Sequence, residues 1–164
     1  MTETPGGTIL RAVEQSAPAV AMRGELWLYP AVETLHLWGI AMLVGAVILF
    51  DLRVLGFART IPLRALARHL LGWGVAALLL IVPSGLLMFS AHAGEFVDNP
   101  AFVVKMVLLS LAATNAAAFH VGVFRGAALW DVSAVTPAAA RVHAVGSIVL
   151  WLGIVGCGRL IAYV

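Results

Sequence analysis

Long apolar runs, separated by short polar stretches, divide most of this chain into four comparable segments. The first run extends from Val32 to about Leu55 and holds no charged residue between Glu33 and Asp51. An α-helix needs about 20 mostly apolar residues to cross a hydrocarbon core of about 30 Å. Three more runs of this kind follow. The pattern therefore predicts membrane-spanning helices at about residues 32–55, 66–89, 101–124 and 139–164.

The connections between these runs carry residues that end helices. The first connection holds four arginines with Thr60 and Pro62 between them, residues 90–100 contain no Lys or Arg, and the third connection contains Pro137. Pro83 lies inside the second run, where its missing N–H leaves a carbonyl without a partner. We expect a kink there, with the freed groups bonded by neighbouring helices or by the hydroxyl of Ser84.

The distribution of basic residues predicts how the helices are oriented, because Lys and Arg collect on the cytoplasmic side of a membrane. Six arginines lie in or beside the first and third connections: Arg53, Arg59, Arg64, Arg68, Arg125 and Arg141. The other four basic residues fall toward the opposite side: Arg11, Arg23, Lys105 and Arg159. The sequence thus predicts an all-α, integral membrane four-helix bundle with its N-terminus and C-terminus on the outer side.

Composition excludes several classes of protein. Of 164 residues, 62% are hydrophobic and 11% charged, whereas soluble domains are about half apolar and about a quarter charged. Nucleic-acid binding is not expected, because the net charge is only +2 and the basic residues gather in two connections. Cys157 is the only cysteine, so a disulfide framework is excluded.

The first 29 residues form a head that is more polar than the rest of the chain. We divide the chain into this extramembrane head, residues 1–29, and a transmembrane bundle, residues 30–164. The head has no basic segment followed by a long apolar core, so we expect no cleavable signal peptide. Ile9, Leu10 and Val13 predict a short helix lying on the membrane surface, and a head without fixed structure is the alternative.

Five histidines form two layers near opposite ends of the predicted spans. At a rise of about 1.5 Å per residue, three of them lie within about 8 Å of the cytoplasmic edge: His69, His120 and His143. The other two lie near the outer ends of spans one and two: His36 and His92. Ionisable side chains inside a membrane are costly and usually face the bundle interior.

Two histidine layers in a four-helix bundle are the arrangement expected of a membrane cytochrome b, in which imidazoles from facing helices bind the iron of haem b. The inner pair is any two of three, of which we favour His69 with His143 and keep His120 as the competitor. The outer pair is His36 with His92. Lys105 and Arg159 lie at the outer level, where they would meet the haem propionates. Two small-residue stripes predict space for the ring: Ala113, Ala116 and Ala117 beside His120, and Gly146, Gly153 and Cys157 on span four.

Structural interpretations compete with this chemistry. Histidines are tolerated at membrane interfaces, and small residues line most packed transmembrane helices. Asn115, near mid-membrane, is expected to form a helix–helix hydrogen bond. Asp51 is expected to form an ion pair, locally with Arg53 or with another helix. An accessory subunit or small permease with structural histidines is the alternative function, and copper transport is a third possibility with little support from a single cysteine.

Four stretches of the chain form a recognisable pattern: WLYPAVETLHLWG (27–39), FDLRVLG (50–56), NPAFVVKMVLL (99–109) and ATNAAAFH (113–120). They resemble a family of small four-span bacterial inner-membrane proteins classed as a domain of unknown function. The resemblance implies the fold and an inner-membrane location but no reaction, and a looser likeness to membrane b-type cytochromes rests on architecture and histidines. The polar residues within the four matching stretches would build a site from spans one and three: His36, Asp51, Arg53, Lys105, Asn115 and His120. We expect an electron carrier in the lipid bilayer that acts between a quinone or periplasmic partner and an acceptor.

Overall fold

The computed structural model describes residues 5–132 and 135–164, and in these residues the protein is all-α. The helices, in chain order, are α1 (Pro5–Glu14), α2 (Ala17–Gly24), α3 (Leu28–Leu55), α4 (Leu63–Ala91), α5 (Ala93–Asp98), α6 (Pro100–Val121), a 3₁₀ helix (Val123–Leu129) and α7 (Ala138–Leu160). We call the end of the bundle at which α3 begins the head end, and the end at which α3 finishes the arginine end.

The four predicted spans are confirmed as α3, α4, α6 and α7, with 28, 29, 22 and 23 residues. Their ends differ from the prediction by a few residues. Helix α3 begins at Leu28 because Pro30 falls in its first turn, where a missing N–H costs no hydrogen bond. Helix α6 finishes at Val121, followed by Gly122, and the segment after it is a 3₁₀ helix rather than a continuation of the span. Pro83 lies within an unbroken α4.

The long helices pack as a bundle with one open side. Helix α4 packs on α3, α3 packs on α7, and α7 packs on α6. Among the described residues, no Cα of α4 comes within 8 Å of a Cα of α6. At the head end, aromatic side chains of these two helices meet: the Phe89 and Phe102 rings stack with centroids 5.8 Å apart.

Small residues at intervals of seven form the seam between α3 and α4. The buried positions include Gly39 and Ala46 on α3, and Ala77, Ser84 and Ala91 on α4. A Cβ added to Gly39 would lie 2.6 Å from Cγ1 of Ile81 and 3.3 Å from the carbonyl oxygen of Ala77. Small residues let membrane helices approach closely, and van der Waals packing rather than removal from water then stabilises the seam.

The head docks on the head end of the bundle. Its sequence forms the helices α1 and α2. The Arg23 guanidinium donates to the carbonyl oxygen of Ala91 at 2.7 Å, where it caps α4. A carboxylate oxygen of Glu14 accepts the N–H of Gly94 at 2.8 Å, in the first turn of α5. The predicted second loop therefore contains a short helix held by the head.

At the arginine end, Arg53 of α3 donates hydrogen bonds to the backbone of two other segments. It is 4% exposed, and its guanidinium donates to the carbonyl oxygens of Ile61 and Asp131, each at 2.7 Å. A carboxylate oxygen of Asp131 accepts the N–H of Arg64 at 2.8 Å, in the first turn of α4. The expected ion pair of Asp51 with Arg53 is therefore wrong, because backbone carbonyls take the guanidinium.

Candidate functional site

His143 and Asn115 form a reciprocal pair between α7 and α6. The side-chain amide of Asn115 donates to the backbone carbonyl of His143 at 3.1 Å, and Nδ1 of His143 lies 2.8 Å from Oδ1 of Asn115. Because this amide oxygen only accepts, Nδ1 carries the hydrogen, and in the neutral imidazole Nε2 is then the acceptor nitrogen. The expectation that Asn115 forms a helix–helix hydrogen bond is confirmed.

His36 is fixed against α4 near the head end. Its Nδ1 lies 2.9 Å from Oγ of Ser84 and 3.2 Å from the carbonyl oxygen of Ile81. The ring also lies against Gly85, where an added Cβ would be 3.1 Å from Cε1. The Ser84 hydroxyl donates to carbonyl oxygens of its own helix, next to Pro83. The imidazole must therefore donate through Nδ1, which again leaves Nε2 as the acceptor nitrogen.

His120 has the same hydrogen-bonding state on an exposed face of α6. Its Nδ1 lies 2.8 Å from the carbonyl oxygen of Ala116, one turn earlier. Phe119, which is 5% exposed, contacts His120 with ring centroids 5.5 Å apart and His143 with centroids 6.0 Å apart. These two imidazoles therefore flank one buried aromatic ring at the arginine end.

These three histidines, on three different spans, share one hydrogen-bonding pattern, which is also common among metal-bound imidazoles. A ligating histidine almost always donates its other ring N–H to a protein oxygen, and that hydrogen bond sets the ring orientation and the tautomer. In His36, His120 and His143 the donating nitrogen is Nδ1. Among the described residues, no hydrogen bond occupies Nε2 of any of them.

The remaining two histidines lie elsewhere. His69 is exposed on α4 and makes no hydrogen bond or ring contact within the described part of the chain; no Cα of α4 lies within 8 Å of α7. His92 ends α4 and meets the ring of Tyr29 edge-on, with centroids 5.9 Å apart. It lines an open hollow of about 370 Å³ with Met22, Arg23 and other residues of the head. The structure therefore brings neither His69 to His143 nor His92 to His36.

The two basic residues at the head end have different surroundings. Lys105 is half-buried, and an added Cβ on Gly158 of α7 would lie 3.9 Å from its Nζ. Arg159 is exposed, donates to the hydroxyl of Tyr163 and lies over that ring at 4.8 Å. Of these two side chains, Lys105 is the one that points into the bundle.

The two stripes of small residues also have different surroundings: the stripe on α7 is packed against α6, and the stripe on α6 is exposed. On α7, a Cβ added to Gly153 would lie 3.1 Å from Cδ1 of Leu108, and a Cβ added to Gly146 would lie 3.9 Å from Oδ1 of Asn115. This stripe is closed by α6 side chains rather than open for a ring. The alanines beside His120 are exposed: Ala113, Ala116 and Ala117. No group of three or more His, Cys, Asp or Glu side chains with metal-binding geometry occurs in residues 5–132 and 135–164.

Two partners of the histidines were not identified from the sequence. The sequence offers Ser84 or neighbouring helices as partners for the groups freed by Pro83, and the contact of Ser84 with His36 depends on the rotation of α3 against α4. Asn115 was recognised by its depth in the membrane, but its pairing with His143 depends on the register of α6 against α7. The signal in both cases is a lone polar residue in an apolar run, which needs a partner on another helix.

A protein-family model described as a family of unknown function, DUF6644, matches residues 27–164. No curated protein and no solved structure matches the chain. The matched range takes in all five histidines and the four long helices, and it leaves out α1 and α2.

Proposed function

The chain belongs to the DUF6644 family, a family of unknown function, and from that premise we propose that it is an integral membrane electron-transfer protein holding b-type haem through histidines. The observation that carries the proposal is the common state of His120 and His143. Each donates through Nδ1 to an oxygen of the protein, and both contact Phe119. Two such imidazoles on neighbouring helices are a suitable donor set for haem iron.

The arginine end supports this donor set better than the head end does. The exposed alanines beside His120 keep the side chains on that face of α6 small, which would let a porphyrin ring approach the helix. At the head end, His36 faces Ser84 whereas His92 faces Tyr29 and the head. We therefore place haem at the arginine end, with His143 as one ligand and His120 preferred to His69 as the other. Lys105, at the opposite end, then has no propionate to bind.

Each protein group has a defined part in the proposed site. A bound b-type haem supplies a one-electron couple of its iron. Asn115 holds the His143 ring in one orientation and increases the basicity of Nε2. The Ala116 carbonyl does the same for His120. Phe119, which is buried and contacts both imidazoles, would make the surroundings of the haem less polar and so contribute to its redox potential.

The electron partners and the location follow from the membrane setting. Four apolar helices place the protein in a lipid bilayer, so a quinone in the membrane or a periplasmic protein is the expected partner. We further propose that the end with the six arginines faces the cytoplasm of a bacterial cell and that both termini lie outside the inner membrane, because Lys and Arg collect on the cytoplasmic side.

Haem content of single variants tests the proposal. We expect full-length protein, made with sufficient haem and purified in detergent, to give a pyridine haemochrome signal. His143→Ala and His120→Ala should reduce haem per chain at least tenfold, because each removes an iron ligand. Ser110→Ala is the matched control, since its hydroxyl bonds only to the Met106 carbonyl of its own helix. Retention of haem by His69→Ala identifies His120 as the second ligand, and loss identifies His69.

A non-redox accessory subunit or small permease is the second candidate. It is favoured by the closed packing of Gly146 and Gly153 against α6, and by the use of His143 and His36 as hydrogen-bonded links between helices. This candidate predicts wild-type protein without haem, and histidine variants that change stability alone.

A further inference from the structure

Asp51 is a buried acid that the proposed haem site does not use. It lies on α3, four residues before Leu55, and is 6% exposed. Its Oδ2 atom is fully enclosed and has no hydrogen-bond partner in the described part of the chain. At about 1.5 Å per residue, the carboxyl group lies about 6 Å inside the end of its helix.

The cationic side chains of the surrounding helices do not neutralise this carboxyl group. Arg53 donates to backbone carbonyls instead. On α7, the hydroxyl of Ser147 lies beside the carboxyl group, and His143, one turn away, is bonded to Asn115. The other charged or titratable side chains at this end of the helices packed on α3 are all exposed: Arg64, Arg68 and His69 on α4, and Arg141 on α7.

An ionised carboxylate in this position would be unfavourable. A buried charge without a counter-ion costs far more than the neutral acid, and an enclosed oxygen without a donor adds to that cost. A neutral carboxylic acid has one O–H to donate and a carbonyl oxygen that tolerates a missing partner better. The Ser147 hydroxyl can accept a hydrogen bond from that O–H group or donate one to the carbonyl oxygen of the acid.

We propose that Asp51 is a proton-binding site at the arginine end of the bundle, with Ser147 holding the carboxyl group in place. The acid carries a proton in the resting protein and exchanges it with water at the nearby end of α3, where the proton passes from the carboxyl oxygen to water and leaves a carboxylate. An intramembrane acid of this kind is a feature of proton-transfer paths. The ligand is a proton rather than a metal cation, because Asp51 and Ser147 offer too few oxygens to coordinate one. This site does not depend on haem.

Infrared spectroscopy of the full-length protein in lipid tests this site. At neutral pH we expect a carboxylic-acid C=O stretching band that Asp51→Asn abolishes and that shifts when H₂O is replaced by D₂O. Ser147→Ala should keep the band but raise its frequency, because the hydroxyl beside the carboxyl group is removed. This second variant tests the assignment even where Asp51→Asn does not fold.

Three results would overturn the proposal. The first is a wild-type spectrum without the acid band, or with a band that neither variant changes. The second is a band that D₂O does not shift, which would indicate a sealed structural proton. The third is a carboxylate band that responds to added Na⁺, K⁺ or Ca²⁺, which would make Asp51 a cation ligand.

Discussion

Asn115 fixes the position of His143, one of the two imidazoles proposed to bind haem. It uses both ends of its amide on His143, the backbone carbonyl at 3.1 Å and Nδ1 at 2.8 Å. Its depth in an apolar run is enough to predict a helix–helix hydrogen bond from the sequence. Its partner is not predictable in this way, because helix rotation decides which side chain it meets.

Asn115→Ala should therefore weaken both stability and cofactor binding. We expect a loss of about 0.5–2 kcal/mol in the free energy of unfolding, the range for hydrogen bonds between membrane helices. Haem affinity should fall by about tenfold or more, because the His143 ring loses the group that fixes its tautomer. Unfolding in SDS and haem titration measure the two effects.

Thr114→Ala is the control for this variant. The Thr114 hydroxyl bonds only to the Ser110 carbonyl of its own helix at 2.8 Å and is exposed, so both quantities should stay at the wild-type value. Equal losses in the two variants would show that Asn115 has no special part in the site.

The existence of the four long helices follows from the sequence because a spanning segment must satisfy its backbone hydrogen bonds internally and remain apolar for about 20 residues. Their ends are less predictable. Pro30 is compatible with the first turn of α3, and residues 93–98 form α5 in a stretch with only Glu95 and Asp98 as charges. The docking of the head through Arg23 and Glu14 joins distant parts of the chain, which no local pattern encodes.

Gly39→Ala tests the close seam between α3 and α4. The added methyl group would meet Ile81 at 2.6 Å and the Ala77 carbonyl at 3.3 Å, so the helices must separate. We expect a loss of about 1–3 kcal/mol in the free energy of unfolding, as for other overpacked sites. SDS unfolding followed by circular dichroism measures it.

Gly45→Ala, on the same helix, is the matched control. An added Cβ at Gly45 has no atom within 4 Å, so this variant should be as stable as the wild type or slightly more stable, since alanine favours helix. A Gly39→Ala protein as stable as Gly45→Ala would mean that the seam is not tightly packed.

At the scale of the whole molecule, the bundle has a clear polarity along its axis. One end holds six arginines, and the opposite end holds the docked head. The sequence predicts this polarity from the charges of the connections alone. It does not predict that α4 and α6 stay apart, because that depends on how all four helices pack.

The proposed orientation can be tested with reporter fusions. An alkaline phosphatase fused after Val164 should be active, and one fused within the first connection, at Thr60, should be inactive, because only exported phosphatase folds. Green fluorescent protein fusions at the same two positions should give the reverse pattern. Activity of the phosphatase at Thr60 would invert the orientation and place the arginine end outside.

The central claim is that histidines at the arginine end hold b-type haem. The most direct test is the dithionite-reduced minus oxidised optical spectrum of the full-length protein, made with sufficient haem and purified in detergent. We predict the Soret and α bands of a low-spin b-type haem in the wild type and their loss in His143→Ala. A flat difference spectrum from folded wild-type protein would contradict the claim.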